Sequence, residues 1–404
     1  MRVLLTGSAV PPVPDGAWPV GRTSSSPARG AGPTLGDVAR WWSPFAEVET
    51  VALAASGPAF LDALALVAPE VLAGVVPGPD AADVPVAVRR RTRAARGTGT
   101  HRTVYVDASQ VPATGANEAL AAGAGPEVPA RSSAAVGHLL ALASDAARGP
   151  DGSPGRVVLA TGGSTSHDAG LGALLALAGA GERVGDDEAA VPTGLARTAR
   201  DALGGTDLVA AVASDVPLLG LHGASAALEA RGVDPAVAQH LERALGAVAH
   251  GVASGADGDA PLAVDGAFAG RDLLTASAAG RRLAGLPGAG SGGGLAHAIA
   301  ALGGRLVPAL RVVADDLGLD ARLVGADVVV VLADELGAHE LGDGTVHEVA
   351  SRAARHALPV VVVAREVVAG RREQAAAGIS GTYAWGDGDP RDLVERVART
   401  WSRG

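Results

Sequence analysis

The chain has 404 residues and a formal net charge of -10, and 48% of its residues are hydrophobic while only 2% are aromatic. This length, with an apolar fraction made mostly of Ala, Val and Leu, predicts a globular α/β protein of more than one domain. The acidic balance argues against a nucleic-acid partner, and the absence of cysteine excludes disulfides, thiolate zinc sites and cysteine nucleophiles.

The first third of the chain predicts two strands and two helices separated by loops. The opening MRVLLTG is a short apolar strand, and a long segment rich in Pro, Gly and Ser follows it. TLGDVARWW predicts a helix that Thr34 caps, with Asp37 at the capping-box position. EVETVALA predicts the second strand, and PAFLDALALVAPEVL the next helix.

The rest of the chain alternates apolar strands with helices. RTVYVDAS, RVVLATGG, DLVAAVASD, ADVVVVLAD and LPVVVVARE are predicted strands. GHLLALASDAA, PAVAQHLERALGAVAHGV, GLAHAIAALG, VHEVASRAARHA and PRDLVERVARTW are predicted helices. A loop-like stretch, ASGADGDAPLAVDGAFAG, separates the second of these helices from the third.

Strands that are apolar along their whole length and alternate with helices predict parallel sheets covered on both faces. We predict a doubly wound, flavodoxin-like or Rossmann-like parallel-sheet domain from residues 1–75 and 285–404, with a second α/β domain of residues 76–284 inserted in it. Ligands of such sheets bind beyond the carboxyl ends of the strands, so the cleft between the domains is the expected site. No apolar run reaches the roughly 18 residues of a membrane span, and the first residues show no signal-peptide pattern, which predicts a cytoplasmic location without membrane contact.

Two glycine-rich turns are candidate anion sites. RVVLATGGSTSHDAGLGALLALAG places Gly162, Gly163 and Ser164 between a strand and a helix, where unpaired amides favour phosphate or carboxylate. GAGSGGGLAHAIAALGG has the pattern G-x-G-x-x-G at Gly288, Gly290 and Gly293. No strand precedes it, so an anion-holding nest is favoured over a dinucleotide fingerprint. A tight reversal in the first case and a flexible hinge in the second are the alternatives.

Acidic side chains follow several predicted strands. These are Asp107, Asp215, Asp334 and Glu335. Such groups could hold Mg²⁺ on phosphates or take a proton from a hydroxyl, although helix capping is the commoner use. His339 and His347 near Asp343 could form a metal site, but surface positions are favoured. The basic run Arg89, Arg90, Arg91 and Arg93 is predicted to be a solvated face.

Five motifs in order resemble the bacterial type I glycerate kinase family. They are GGSTSHDAGLGALLALAG, VASDVPLLGLHGAS, LPGAGSGGGLAHAIAALGG, LVGADVVVVLADE and HALPVVVVA, collinear from about Asp107 to Ala364. The resemblance implies a two-domain α/β fold and ATP-dependent phosphorylation of glycerate, a small organic acid, with Mg²⁺. It implies catalytic roles for Asp168 and Asp215, and a metal role for Asp215 and Asp334. It also implies substrate or phosphate binding by Gly162, Gly163, Ser164, Gly288, Gly290, Ser291 and Gly293.

The chain departs from that family in its terminal parts. Ala55 and Pro58 stand where the family has acids, Thr345 stands where it has a lysine, and the sequence contains no lysine at all. In an active enzyme, Arg22 or Arg29 of the first long loop would replace the lost lysines, whereas Trp18 packed into the cleft would argue against catalysis. Two hypotheses therefore stand: an active phosphotransferase for glycerate or a similar small hydroxy acid, and a catalytically degenerate homologue that binds a ligand or regulates a partner. A nicotinamide-dependent enzyme is a distant third. A small-molecule partner and possibly a homo-oligomer are expected.

Overall fold

The computed structural model describes residues 1–8, 32–78, 82–94, 100–112, 132–180, 191–229, 232–254 and 280–402. These residues form two β-sheets with helices packed on both faces of each, which confirms the predicted α/β fold. In this part of the chain no helix has the length and apolar character needed to cross a lipid bilayer.

The described strands and helices follow in chain order. The strands are β1 (Arg2–Ser8), β2 (Glu47–Leu53), β3 (Glu70–Pro77), β4 (Asp83–Ala94), β5 (Thr100–Asp107), β6 (Arg156–Ala160), β7 (Asp207–Val212), β8 (Arg305–Pro308), β9 (Val328–Leu336), β10 (Val360–Val367) and β11 (Ile379–Ala384). The helices are α1 (Leu35–Trp42), α2 (Pro58–Ala63), α3 (Ala134–Ala147), α4 (Leu171–Leu177), α5 (Leu195–Ala202), α6 (Ala226–Glu229), α7 (Pro235–Ser254), α8 (Leu295–Ala301), α9 (Ala309–Asp316), α10 (Leu319–Val324), α11 (Ala338–Gly342), α12 (Thr345–Ala353), α13 (Arg371–Ala376) and α14 (Pro390–Trp401).

The first sheet is entirely parallel and combines both ends of the chain. Its strand order is β11-β10-β9-β1-β2, which is the doubly wound, flavodoxin-like arrangement. One face packs on α1 and α14, where Val38 and Trp42 are buried. The capping box predicted for α1 is confirmed, since Thr34 and Asp37 bond each other's backbone N–H groups at 3.1 Å.

The second sheet has six strands in the order β3-β4-β5-β6-β7-β8. Strands β5 to β8 are parallel, whereas β3 and β4 add an antiparallel edge. Three of these strands were not predicted: β3, β4 and β8. The helix predicted from Pro58 onward was too long, because α2 ends at Ala63 and the last three residues of that stretch begin β3 at Glu70.

One apolar layer joins the two sheets. Helices α2, α9 and α12 contribute Phe60, Val313 and Val349 to a cluster that contains Leu4 of the first sheet and Val158 of the second. The strands of the second sheet extend from residue 70 to residue 308, a wider span than the inserted domain of residues 76–284. The domain limits stay a prediction, since this shared layer marks no boundary between two separate cores.

The basic run on β4 corrects one prediction. Arg93 is exposed as expected for a solvated face. Arg90, however, pairs with Glu70 of β3, and Arg91 lies 2.8 Å from Asp316 of α9. Each of these two guanidinium groups is largely buried, so they fix β4 to its neighbours rather than face solvent.

Candidate functional site

A cavity of about 140 Å³ lies beyond the carboxyl ends of β6 and β7. Three turns form its walls, residues 162–167, 213–216 and 290–293, and α6 covers it with Ala227 and Leu228. The remaining lining residue is Ala224. This is the edge of a parallel sheet at which α/β proteins bind ligands, and the sequence predicted a site there.

Glycine is required where the walls meet. A Cβ on Gly162 would lie 2.6 Å from Ser56 Cβ and 2.8 Å from Ala213 Cβ, so this turn touches both the β2–α2 loop and the turn after β7. Gly293 has a φ of +62°, and an added Cβ would overlap the carbonyl oxygen of Ser166. Larger residues at these two positions would separate the turns that enclose the cavity.

A chain of hydroxyl groups holds Ser291 in the cavity wall. Ser291 Oγ lies 2.7 Å from Thr161 Oγ1, where either group can be the donor, and Thr161 Oγ1 also lies 3.3 Å from the Ala211 carbonyl oxygen. Ser291 Oγ accepts from the Ala213 N–H at 3.3 Å. Ser291 therefore presents a hydroxyl group in a fixed position to a ligand in the cavity.

Two backbone amides of the third turn could donate hydrogen bonds to an anionic group of a ligand. Gly292 and Gly293 have consecutive φ values of +64° and +62°. Their N–H groups donate to no acceptor among the residues that the structure describes. Neighbouring amides in a left-handed turn form a concave donor surface for an anion.

His167 is the lining residue that sequence analysis did not single out. Its side chain is buried, and Nε2 lies 3.0 Å from the Oγ of Ser225, which is also buried. All the other residues that line the cavity are uncharged. The signal was present in the first glycine-rich turn, where His167 directly precedes Asp168, but a lone histidine carries little information about its surroundings.

Asp168 is partly buried and does not line the cavity. Its carboxylate accepts four hydrogen bonds of 2.9 Å, from the N–H and Oγ of Ser133 and from the amides of Gly170 and Gly172. Burial raises the pKa of this carboxyl group, and the four hydrogen bonds oppose that shift. Asp168 therefore joins the start of α4 to the segment before α3, and its catalytic role stays a prediction.

The four predicted strand-end acids are not brought together at the cavity, and none of them lines it. Asp215 is exposed between the lining residues Ser214 and Val216, and its carbonyl accepts from the Gly288 N–H at 2.8 Å. Asp334, like Glu335, belongs to β9 of the other sheet and lies 2.8 Å from Arg365 Nε.

Asp107 is the acid that connects the two sheets. Its carboxylate accepts from the N–H and Oγ of Ser109 and from the N–H of Gly57 in the β2–α2 loop. Burial raises the pKa of Asp107, and these bonds oppose the rise. Gly162, Gly163, Ser164, Gly290, Ser291 and Gly293 do line the cavity as a group, whereas Gly288 lies just outside it.

No cluster of three or more His, Asp or Glu side chains suited to a metal ion occurs within the described ranges. Asp215 follows β7 of the second sheet and Asp334 belongs to β9 of the first, and their role as metal ligands stays a prediction. His339 contacts Asp343 at 2.7 Å, but His347 Nδ1 bonds the Leu341 carbonyl, so these residues form no joint site. A Mg²⁺ ion carried on phosphates needs only one or two protein carboxylates, and the exposed Asp215 fits that requirement. Arg22, Arg29 and Trp18, on which the sequence-based test rested, lie outside the described residues.

Comparison with known proteins gives one family and one fold. The family model described as "Glycerate kinase family" matches residues 25–400. Uncharacterized proteins of Mycobacterium bovis and Mycobacterium tuberculosis are each 27% identical over 260 residues, which is 63% of this chain and 56% of theirs. The chain thus aligns with little more than half the length of these relatives.

A similar solved structure is the crystal structure described as "putative glycerate kinase 2 from Salmonella typhimurium LT2". It has a TM-score of 0.61 and 19% sequence identity, and the match covers 100% of this chain and 97% of that one. At this identity the likeness shows the fold alone.

Proposed function

The chain belongs to the glycerate kinase family, and on that premise we propose that it transfers the γ-phosphoryl group of ATP to a hydroxyl of glycerate or a similar small hydroxy acid. The observation that carries the proposal is the cavity, whose size and polarity both suit such an acceptor. A cavity of about 150 Å³ accommodates a molecule of benzene's size. The 140 Å³ found here suits a small acid.

The polarity of the cavity supports a ligand with both an acidic and a hydroxyl group. Ser291 offers a hydroxyl group, which can bond a hydroxyl of the ligand in either direction. The amides of Gly292 and Gly293 donate, which calls for a carboxylate or phosphate oxygen. Gly162, Gly163, Ser164 and Gly290 complete the wall around the acceptor.

Asp215 is the group that we assign to Mg²⁺ and the phosphates of ATP. It is exposed beside the cavity, so a triphosphate held outside could be approached by an acceptor hydroxyl held inside. When bound, Mg²⁺ would neutralise charge on the transferring phosphoryl group. Asp334 is assigned no such role, because Arg365 already pairs with it.

The test is ADP release by the purified chain given ATP, Mg²⁺ and D-glycerate. We expect turnover that depends on glycerate, at least a ten-fold loss of kcat in Asp215→Asn, and near-normal turnover in the matched control Asp334→Asn. Absence of glycerate-dependent ADP above background in the wild type would refute phosphotransfer. Equal losses in both variants would refute the assignment of Asp215.

A homologue that binds the acid without phosphorylating it is the second candidate. The observation that favours it is the absence of any carboxylate among the described residues that line the cavity. Glycerate binding by calorimetry, without ADP release and without ATP binding, would select this candidate. A cytoplasmic location, a possible homo-oligomer and the lack of a nucleic-acid partner remain predictions under either candidate.

A further inference from the structure

A carboxylate enters a buried site at a large cost unless the site supplies compensating charge or hydrogen bonds. Of the residues lining the cavity, the uncharged ones offer amides and hydroxyl groups, and one side chain can carry a positive charge. That side chain is His167.

The ring of His167 is held in place on the cavity wall. Only 8% of the residue is exposed, and Nε2 bonds Ser225 Oγ, which is 1% exposed and lies just before α6. The imidazole is therefore anchored to the element that covers the cavity. A fixed imidazole loses little entropy when a ligand binds.

We propose that His167, positioned by Ser225, selects a carboxylate over a neutral polyol in this cavity. The proposal deepens the function above and rests on it for the identity of the acid. The amides of Gly292 and Gly293 provide partial charges that any polar group can use. As an imidazolium, His167 would add the full charge that discriminates an acid from an alcohol of the same size.

The experiment compares D-glycerate with glycerol, which replaces the carboxylate by a neutral hydroxymethyl group. Dissociation constants for both are measured by calorimetry or NMR titration on the whole chain, without nucleotide. We expect the wild type to prefer glycerate by ten-fold or more, the size of a charged hydrogen bond. His167→Asn should abolish that preference while changing glycerol affinity less than three-fold.

Two further variants separate charge from shape. Ser214→Ala removes a neutral lining hydroxyl and should weaken both ligands alike. Ser225→Ala removes the hydroxyl group that bonds His167 Nε2 and should reduce the preference for glycerate only in part. If His167→Asn does not fold, His167→Gln serves as a second neutral replacement.

Three outcomes would overturn the proposal: a wild type that shows no preference, one that binds neither ligand, and neutral variants that keep the preference. The wild-type comparison decides even if no variant folds. Selective glycerate binding without ADP release would leave His167 as the selecting residue and refute only the phosphotransfer.

Discussion

Replacing Asp168 by asparagine tests whether this residue holds the fold or the ligand. The carboxylate accepts three bonds on one oxygen, from Ser133 N–H, Ser133 Oγ and Gly172 N–H, and a fourth on the other from Gly170 N–H. An asparagine oxygen can keep the group of three. Its amide nitrogen then faces the Gly170 N–H, so two donors oppose each other.

The cost follows from that single mismatch. One hydrogen bond to a charged group is lost and one buried N–H is left without an acceptor, which together cost about 1.5–3 kcal/mol. Removing the charge recovers part of this loss of free energy, because burial disfavours the charged carboxylate and so raises the pKa of Asp168. We expect a net loss of about 2 kcal/mol in the free energy of unfolding of this region.

Hydrogen exchange measured by mass spectrometry on peptides covering residues 132–177 gives the local readout. A loss of about 2 kcal/mol corresponds to roughly thirty-fold faster exchange in these segments. Urea unfolding followed by circular dichroism gives the global value, and the exposed Asp215→Asn is the control, with an expected change below about 0.5 kcal/mol. If Asp168→Asn exchanges like the wild type but no longer binds glycerate, the structural role is wrong and Asp168 contacts the ligand.

Three other predictions follow from individual residues. Gly293→Ala should unfold the cavity wall and abolish glycerate binding. The control is Gly318→Ala, which has a similar φ of +67° and open space around it, and it should cost only about 1–2 kcal/mol in urea unfolding. Equal costs for the two variants would refute the clash with Ser166. Arg352→Leu should cost about 3 kcal/mol, because this buried cation bonds three carboxylates, and a loss below 1 kcal/mol would contradict that role. Burial lowers the pKa of His297, so below about pH 6.5 the unfolded chain binds more protons than the folded chain. The free energy of unfolding should therefore fall as the pH drops, by up to about 1.4 kcal/mol per pH unit. In His297→Leu, the urea midpoints measured between pH 7 and pH 5 should depend less on pH.

Much of the fold could be predicted because its signals are local. The strands of the parallel sheets are continuous apolar runs, and the capping box of Thr34 and Asp37 indicates the start of α1. The missed strands have weaker signals. In β4 the arginine run obscures the alternation, and β8 has only four residues. Their place in the sheet is decided by partners distant in sequence.

The site could be predicted in outline for a similar reason. The glycine-rich turn after β6 lies at the carboxyl edge of the parallel sheet, and the turn before α8 meets it there because the helix of a crossover connection begins at that edge. Six of the seven residues predicted to bind substrate or phosphate line one cavity. The acids could not be placed from sequence. The bonds that occupy Asp168 come partly from Ser133, 35 residues earlier, and Asp334 is paired by Arg365 from the next strand.

Under the proposed function, acceptor binding and phosphotransfer would be separable in this molecule, because the two sheets contribute unequally to the cavity. Every residue lining the cavity belongs to the part of the chain that carries the second sheet, while the first sheet reaches it through the β2–α2 loop, where Ser56 meets Gly162 and Gly57 bonds Asp107. The departures from the family pattern lie on the first sheet's side, at Ala55 and Pro58 among others. Loss of catalytic groups there would leave the acceptor cavity intact. Glycerate binding alone therefore cannot establish a kinase, and ADP release must be measured on the same preparation.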